Sequence, residues 1–77
     1  MNAAQVAYVN LQEHMGKTAL HFASMNENAA MIRLLISHGA DPTIRDHSGR
    51  TPRDYTNELS DAYEILRLAE TYGPMLA

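Results

Sequence analysis

Four histidines, His14, His21, His38 and His47, are the side chains in this 77-residue chain most suited to metal binding or proton transfer. A zinc site needs ligands converging within about 2.0–2.3 Å of one ion, often from a His-x₃₋₅-His pair on a helix. The histidine intervals are 7, 17 and 9 residues, so none sets two imidazoles on one helical face. There is no cysteine, which removes disulfides, cysteine-based zinc sites and thiol catalysis together. Gly16-Lys17-Thr18 ends as a phosphate-cradling loop ends, but Leu11 stands where that loop needs its first glycine, and no buried strand precedes it. No Gly-x-Ser-x-Gly and no DxDxDG calcium loop occurs. These absences point to a chain that is not an enzyme and uses no metal or cofactor.

The elements that carry those residues repeat. Gly16-Lys17-Thr18-Ala19-Leu20-His21-Phe22-Ala23 is followed 33 residues later by Gly49-Arg50-Thr51-Pro52-Arg53-Asp54-Tyr55-Thr56, with glycine, a basic residue and threonine in matching places. A fixed period of this size marks stacked supersecondary units, each unable to bury its apolar face alone. Glu13-His14-Met15-Gly16 and Asp46-His47-Ser48-Gly49 are turn candidates. Thr18 and Thr51 fall where an N-cap is wanted, and Pro52 fits the first helical position, where its missing N–H costs nothing. Asp54 lies in the first turn, where the helix dipole favours negative charge.

The spacing predicts a first helix over Thr18 to Met25 with Ala19, Leu20, Phe22 and Ala23 apolar, broken by Asn26-Glu27-Asn28. A second follows over Asn28 to His38. Its Met31, Ile32, Leu34, Leu35 and Ile36 are more apolar than a half-exposed helix needs, so it is expected to lie buried between two layers. Gly39 and Pro42 end it. In the second unit Ser60 is expected to cap a helix with Ala62, Ile65, Leu66, Leu68 and Ala69 on its apolar face, ended by Gly73-Pro74. Residues 1–8 are alanine-rich and suit a short helix with Asn2 as its N-cap.

Gly-x-Thr-Ala-Leu-His-x-Ala, Met31-Ile32-Arg33-Leu34-Leu35-Ile36 and His38-Gly39-Ala40-Asp41-Pro42 together resemble the ankyrin repeat. The resemblance covers nearly the whole chain. It implies an all-α, helix-turn-helix solenoid with short hairpin "fingers". Residues 13–45 would be one repeat and 46–77 a second, cap-like one. Residues 1–12 would be a partial N-terminal repeat or leader, with Val9-Asn10-Leu11-Gln12 matching the arm before a finger. Past the first helix the second unit slips to a spacing of 34, pairing Ile32 with Leu66, so an extra residue is expected around Asn57 to Asp61.

By the same resemblance, His21 is structural and the partner-contacting positions are the second, third and fifth of each unit plus the two closing the first helix. Here these are His14, Met15, Lys17, Met25 and Asn26, then His47, Ser48, Arg50, Asn57 and Glu58. His14 and His47 take the same place in successive units, so a partner bound there would feel their titration near neutral pH. The plainer alternative is that both are exposed turn residues. The function implied is non-catalytic protein binding; the alternative is a structural cap closing a longer array. Arg53, Asp54, Arg67 and Glu70 favour the cap, since a terminal layer presents a polar outer face.

A formal charge of −3 argues against a nucleic-acid partner, which would require a basic face. The N-terminus has neither a basic region nor an apolar core of a signal peptide, and no apolar run would span a bilayer. An intracellular, cytoplasmic protein is expected. Two units and a fraction fall short of the three that a solenoid ordinarily needs, so self-association or packing on flanking repeats is expected.

Overall fold

The computed structural model describes residues 3–73, and among these every regular element is helical. Helix α1 spans Ala3–Val9, α2 spans Ala19–Met25, α3 spans Ala29–Ser37 and α4 spans Asp61–Tyr72, with a 3₁₀ helix at Pro52–Tyr55. The calls on Asn2 as a cap and on Pro74 lie outside the described residues.

Each start is set by a local hydrogen bond. At α2 the Thr18 hydroxyl accepts from the His21 N–H, and the Thr18 N–H donates to His21 Nδ1 at 3.0 Å, which completes a reciprocal capping box. At α3 the Asn28 side chain accepts from the Met31 N–H at 3.1 Å, and at α4 Ser60 Oγ accepts from the Tyr63 N–H at 3.1 Å. In the second unit Asp54 Oδ2 accepts from both the Thr51 N–H, at 2.9 Å, and the Thr51 hydroxyl, at 3.2 Å.

The α2–α3 pair stacks on the 3₁₀ helix and α4, first element on first and second on second. Between them lies the core: Leu20, Ala23, Ile32, Ile36, Ala40, Ala62, Leu66 and Ala69, with Val9, Leu35 and Ile65 against its edge. Leu20, Ile32 and Leu66 have no exposed surface. Alanines at the contacts let the layers approach closely, so four large side chains, these three and Ile36, suffice to fill the space.

Three expectations are corrected. The first helix of the second unit is a single 3₁₀ turn. Thr56 Oγ1 donates to the Arg53 carbonyl at 2.8 Å and Asn57 Oδ1 accepts from the Leu59 N–H at 2.8 Å, so side chains take the backbone groups that a longer helix would use. The link to α4 then runs over 56–60, against the three-residue break 26–28 in the first pair. Val9 belongs to α1 rather than to the arm, which starts at Asn10. And α3 is not buried on both sides: Ile32 and Ile36 are, but Met31 is 41% and Leu34 51% exposed. Helix α4 covers one flank of α3. Among the described residues no helix packs against the other flank as α4 does, and α1, which borders it, has no buried residue of its own. Phe22 and Ala19 on α2 are exposed for the same reason.

The outer flank of α4 is polar and paired. Arg53 Nε lies 2.9 Å from Glu70 Oε2, the Arg53 guanidinium sits 5.4 Å from the Tyr63 ring centre, and Arg67 binds Glu64 through two nitrogens at 3.0 and 2.6 Å. Burial pushes the Glu70 carboxyl above its ordinary range, with Arg53 opposing. Arg67 holds Glu64 below it.

Candidate functional site: the finger and loop surface

Each finger is a turn closed by its own first residue. Glu13 Oε1 accepts from the N–H groups of Met15 and Lys17, at 2.9 and 2.7 Å, and Asp46 Oδ1 accepts from Ser48 and Arg50, at 2.9 and 3.0 Å. The backbone repeats the pattern, with the Glu13 N–H donating to the Lys17 carbonyl and the Asp46 N–H to that of Arg50, both at 2.9 Å. Gln12 Nε2 and Arg45 Nη1 then reach the carbonyls of Gly16 and Gly49, at 2.8 and 2.7 Å. The two fingers are therefore built alike from Gln/Arg-Glu/Asp-x-x-Gly.

They are also stitched together. The His47 N–H donates to the Met15 carbonyl at 2.9 Å, and Gln12 Nε2 also reaches the Arg45 carbonyl at 3.2 Å. Further in, Asn10 accepts from the Asp41 N–H at 2.7 Å and donates to the Gly39 carbonyl at 3.1 Å. His21 Nε2 donates to the Arg50 carbonyl at 2.9 Å while Nδ1 accepts from Thr18, which requires the neutral tautomer with its proton on Nε2.

Behind the fingers Tyr55 gathers the charges. Its hydroxyl donates to Asp46 Oδ2, His21 meets its ring edge-on at 6.1 Å, and the Lys17 ammonium and Arg50 guanidinium each lie 5.7 Å from the ring centre. Lys17 Nζ is 3.6 Å from Asp46 Oδ2. The Asp46 carboxyl is driven well below its ordinary value, first by the Tyr55 hydroxyl and then by the Arg50 and Ser48 N–H groups and the Lys17 charge, against the opposing effect of burial.

A carboxyl whose folded pKa is depressed stabilises the fold above its unfolded pKa, here about 3.8, and that stability is lost as pH falls from there toward the folded value. The melting temperature should therefore drop steeply on acidification from about pH 5 to pH 2. Asp46→Asn should melt lower at pH 7 and lose much of that acid slope. Equal slopes in parent and variant, by circular dichroism, would show that Asp46 is not the group responsible.

Of the ten positions expected to contact a partner, nine are exposed. Met15, His47 and Ser48 are brought side by side by the finger stitch, with His14 at the first tip, 3.3 Å from Glu13 Oε2. At the far end the Asn57 N–H donates to Glu27 Oε1, which sets the loop carrying Asn57 and Glu58 against the one after Met25 and Asn26. Lys17 differs: its side chain is only 16% exposed and is committed to Asp46 and Tyr55. Glu13, Asp46 and Tyr55 were not singled out as organisers from the sequence. The available signal was the acid three residues before glycine in both units. Among the described residues no group of three His, Asp or Glu is placed to hold a metal ion, and no helix is long and apolar enough to cross a membrane.

Stacked helical layers with stitched hairpin fingers define a helical-repeat solenoid. Residues 15–47 match the ankyrin repeat family, and the chain belongs to it. A putative ankyrin repeat protein of Borreliella burgdorferi is 37% identical over 59 residues, which cover 75% of this chain and 14% of that one. NF-kappa-B inhibitor alpha of Rattus norvegicus is 29% identical over 69 residues, covering 90% and 22%. The mitochondrial disaggregase of Bos taurus is 36% identical over 62 residues, covering 80% and 9%. The chain thus spans between 9% and 22% of the length of these relatives.

Proposed function

We propose that this chain is a non-catalytic module that binds a protein partner through its fingertips and the loop ends beside them. The observation that carries this is the pre-organised row itself. Met15, His47 and Ser48 stand exposed on turns whose backbones are locked by Glu13, Asp46 and the His47–Met15 bond. A surface already fixed in its bound shape spends less entropy on association. Ankyrin repeats mediate protein–protein interaction, and one relative is named for inhibiting another protein, NF-kappa-B. In this account residues 13–45 and 46–77 are two repeats, residues 1–12 are a partial N-terminal repeat or leader, and the protein works inside the cell, in the cytoplasm.

The test is capture of binding proteins on the immobilised chain, followed by titration of each against Met15→Ala, Met25→Ala and Ser48→Ala. These truncations leave the core and the finger hydrogen bonds intact, so the melting temperature should hold. At least one should weaken binding about tenfold, as truncation at the centre of an interface does. Binding indifferent to all three would move the contact off this surface.

A second reading, that the chain is the closing cap of a longer array, rests on the outer flank of α4. Arg53 pairs with Glu70 and lies over Tyr63, and Arg67 pairs with Glu64, which gives that flank the polar face of a terminal layer.

A further inference from the structure

The flank opposite that polar one has the reverse character. A groove of about 500 Å³ runs between α1 and the α2–α3 pair, its apolar lining made by Tyr8, Val9, Leu11, Ala19, Leu34 and Leu35. Helical spacing extends the strip: Phe22 is one turn on from Ala19, and Met31 one turn before Leu34 and Leu35. Tyr8 and Leu11, on its rim, are 75% and 64% exposed. We propose that this flank is a self-association surface, on which a second copy of the chain packs face to face about a two-fold axis.

Charge selects that occupant. In a two-fold contact the same patch meets itself, so a patch carrying charge of one sign repels its copy. Residues 1–12 contain no Asp, Glu, Lys or Arg, and none lines the groove. The rim supplies the fit as well. A protruding tyrosine beside an apolar groove on the same face is self-complementary, so each copy can seat its Tyr8 against Leu34 and Leu35 of the other. Because the fingers lie on a different edge, this inference does not depend on the partner-binding proposal.

Sedimentation equilibrium of the 77-residue chain from about 10 μM to 1 mM tests it, with circular dichroism on the same samples. The parent should pass from monomer to dimer across that range. Leu34→Glu puts a charge on the face, and Tyr8→Ala removes the protruding ring at a residue that holds no core. A dissociation constant raised about tenfold or more by either, in a chain that keeps its helical signal, supports the proposal. A monomer throughout, or a dimer indifferent to both substitutions, overturns it.

Discussion

Replacing Gly16 with alanine is expected to destabilise the chain by about 2–4 kcal/mol, whereas the same change at Gly49 should cost about 1 kcal/mol. Both glycines have nearly the same left-handed backbone, φ +82° and +81°, so the conformational cost of a Cβ is shared. The surroundings differ. A Cβ on Gly16 would lie 2.5 Å from His47 Cδ2 and 2.8 Å from the His47 backbone nitrogen, while nothing comes within 4 Å of one on Gly49. The ring could swing away. The nitrogen cannot, because it is held to the Met15 carbonyl, so relief means parting the fingers. The difference between the two variants thus measures the finger stitch. Urea unfolding gives it directly, and equal losses would mean that the fingers do not stack as described.

The other large effect is expected at His21, which has no exposed surface. His21→Ala should cost about 3 kcal/mol or more, set against a total stability of about 4–11 kcal/mol for a chain of this size. The ring closes the α2 cap through Thr18, reaches the Arg50 carbonyl at the base of the next finger and supports Tyr55 edge-on. Removing it strands the buried Thr18 N–H, takes one of two donors from the Arg50 carbonyl and leaves a cavity between two layers. His21→Leu separates the two contributions. If hydrogen bonding dominates, leucine should recover less than half of the loss. Recovery to near the parent stability would assign the role to packing alone. A Thr18→Val control, which replaces only the cap hydroxyl with a methyl group, should cost about 1 kcal/mol.

His21 also marks where local reasoning stops. Its bonds to Thr18 lie within one turn, and the family resemblance already marked the residue as structural. Its bond to Arg50 spans 29 residues and exists only because the layers stack. Lys17 makes the same point more sharply: its position in the repeat suggested a contact residue, yet a tyrosine and an aspartate from the next layer claim its side chain.

What one or two turns of chain can settle was legible in the residues. Thr18 and Ser60 cap, Asn26 to Asn28 break the first pair of helices, and Leu20, Ile32 and Leu66 are core. Each follows from a hydrogen bond within three residues or from helical periodicity acting on a side chain that has nowhere else to go. The 33-residue echo likewise announced stacked layers. Most of the failures turn on what lies across an interface. Met31 and Leu34 are as apolar as Ile32 and Ile36, and only the coverage of one flank of α3 and not the other separates exposed from buried. The 3₁₀ turn at Pro52–Tyr55 is decided by Tyr55 reaching Asp46 and by Thr56 and Asn57 turning back on the chain. Apolar character is a property of a residue, but burial is a property of its neighbours, and the neighbours are chosen by the fold.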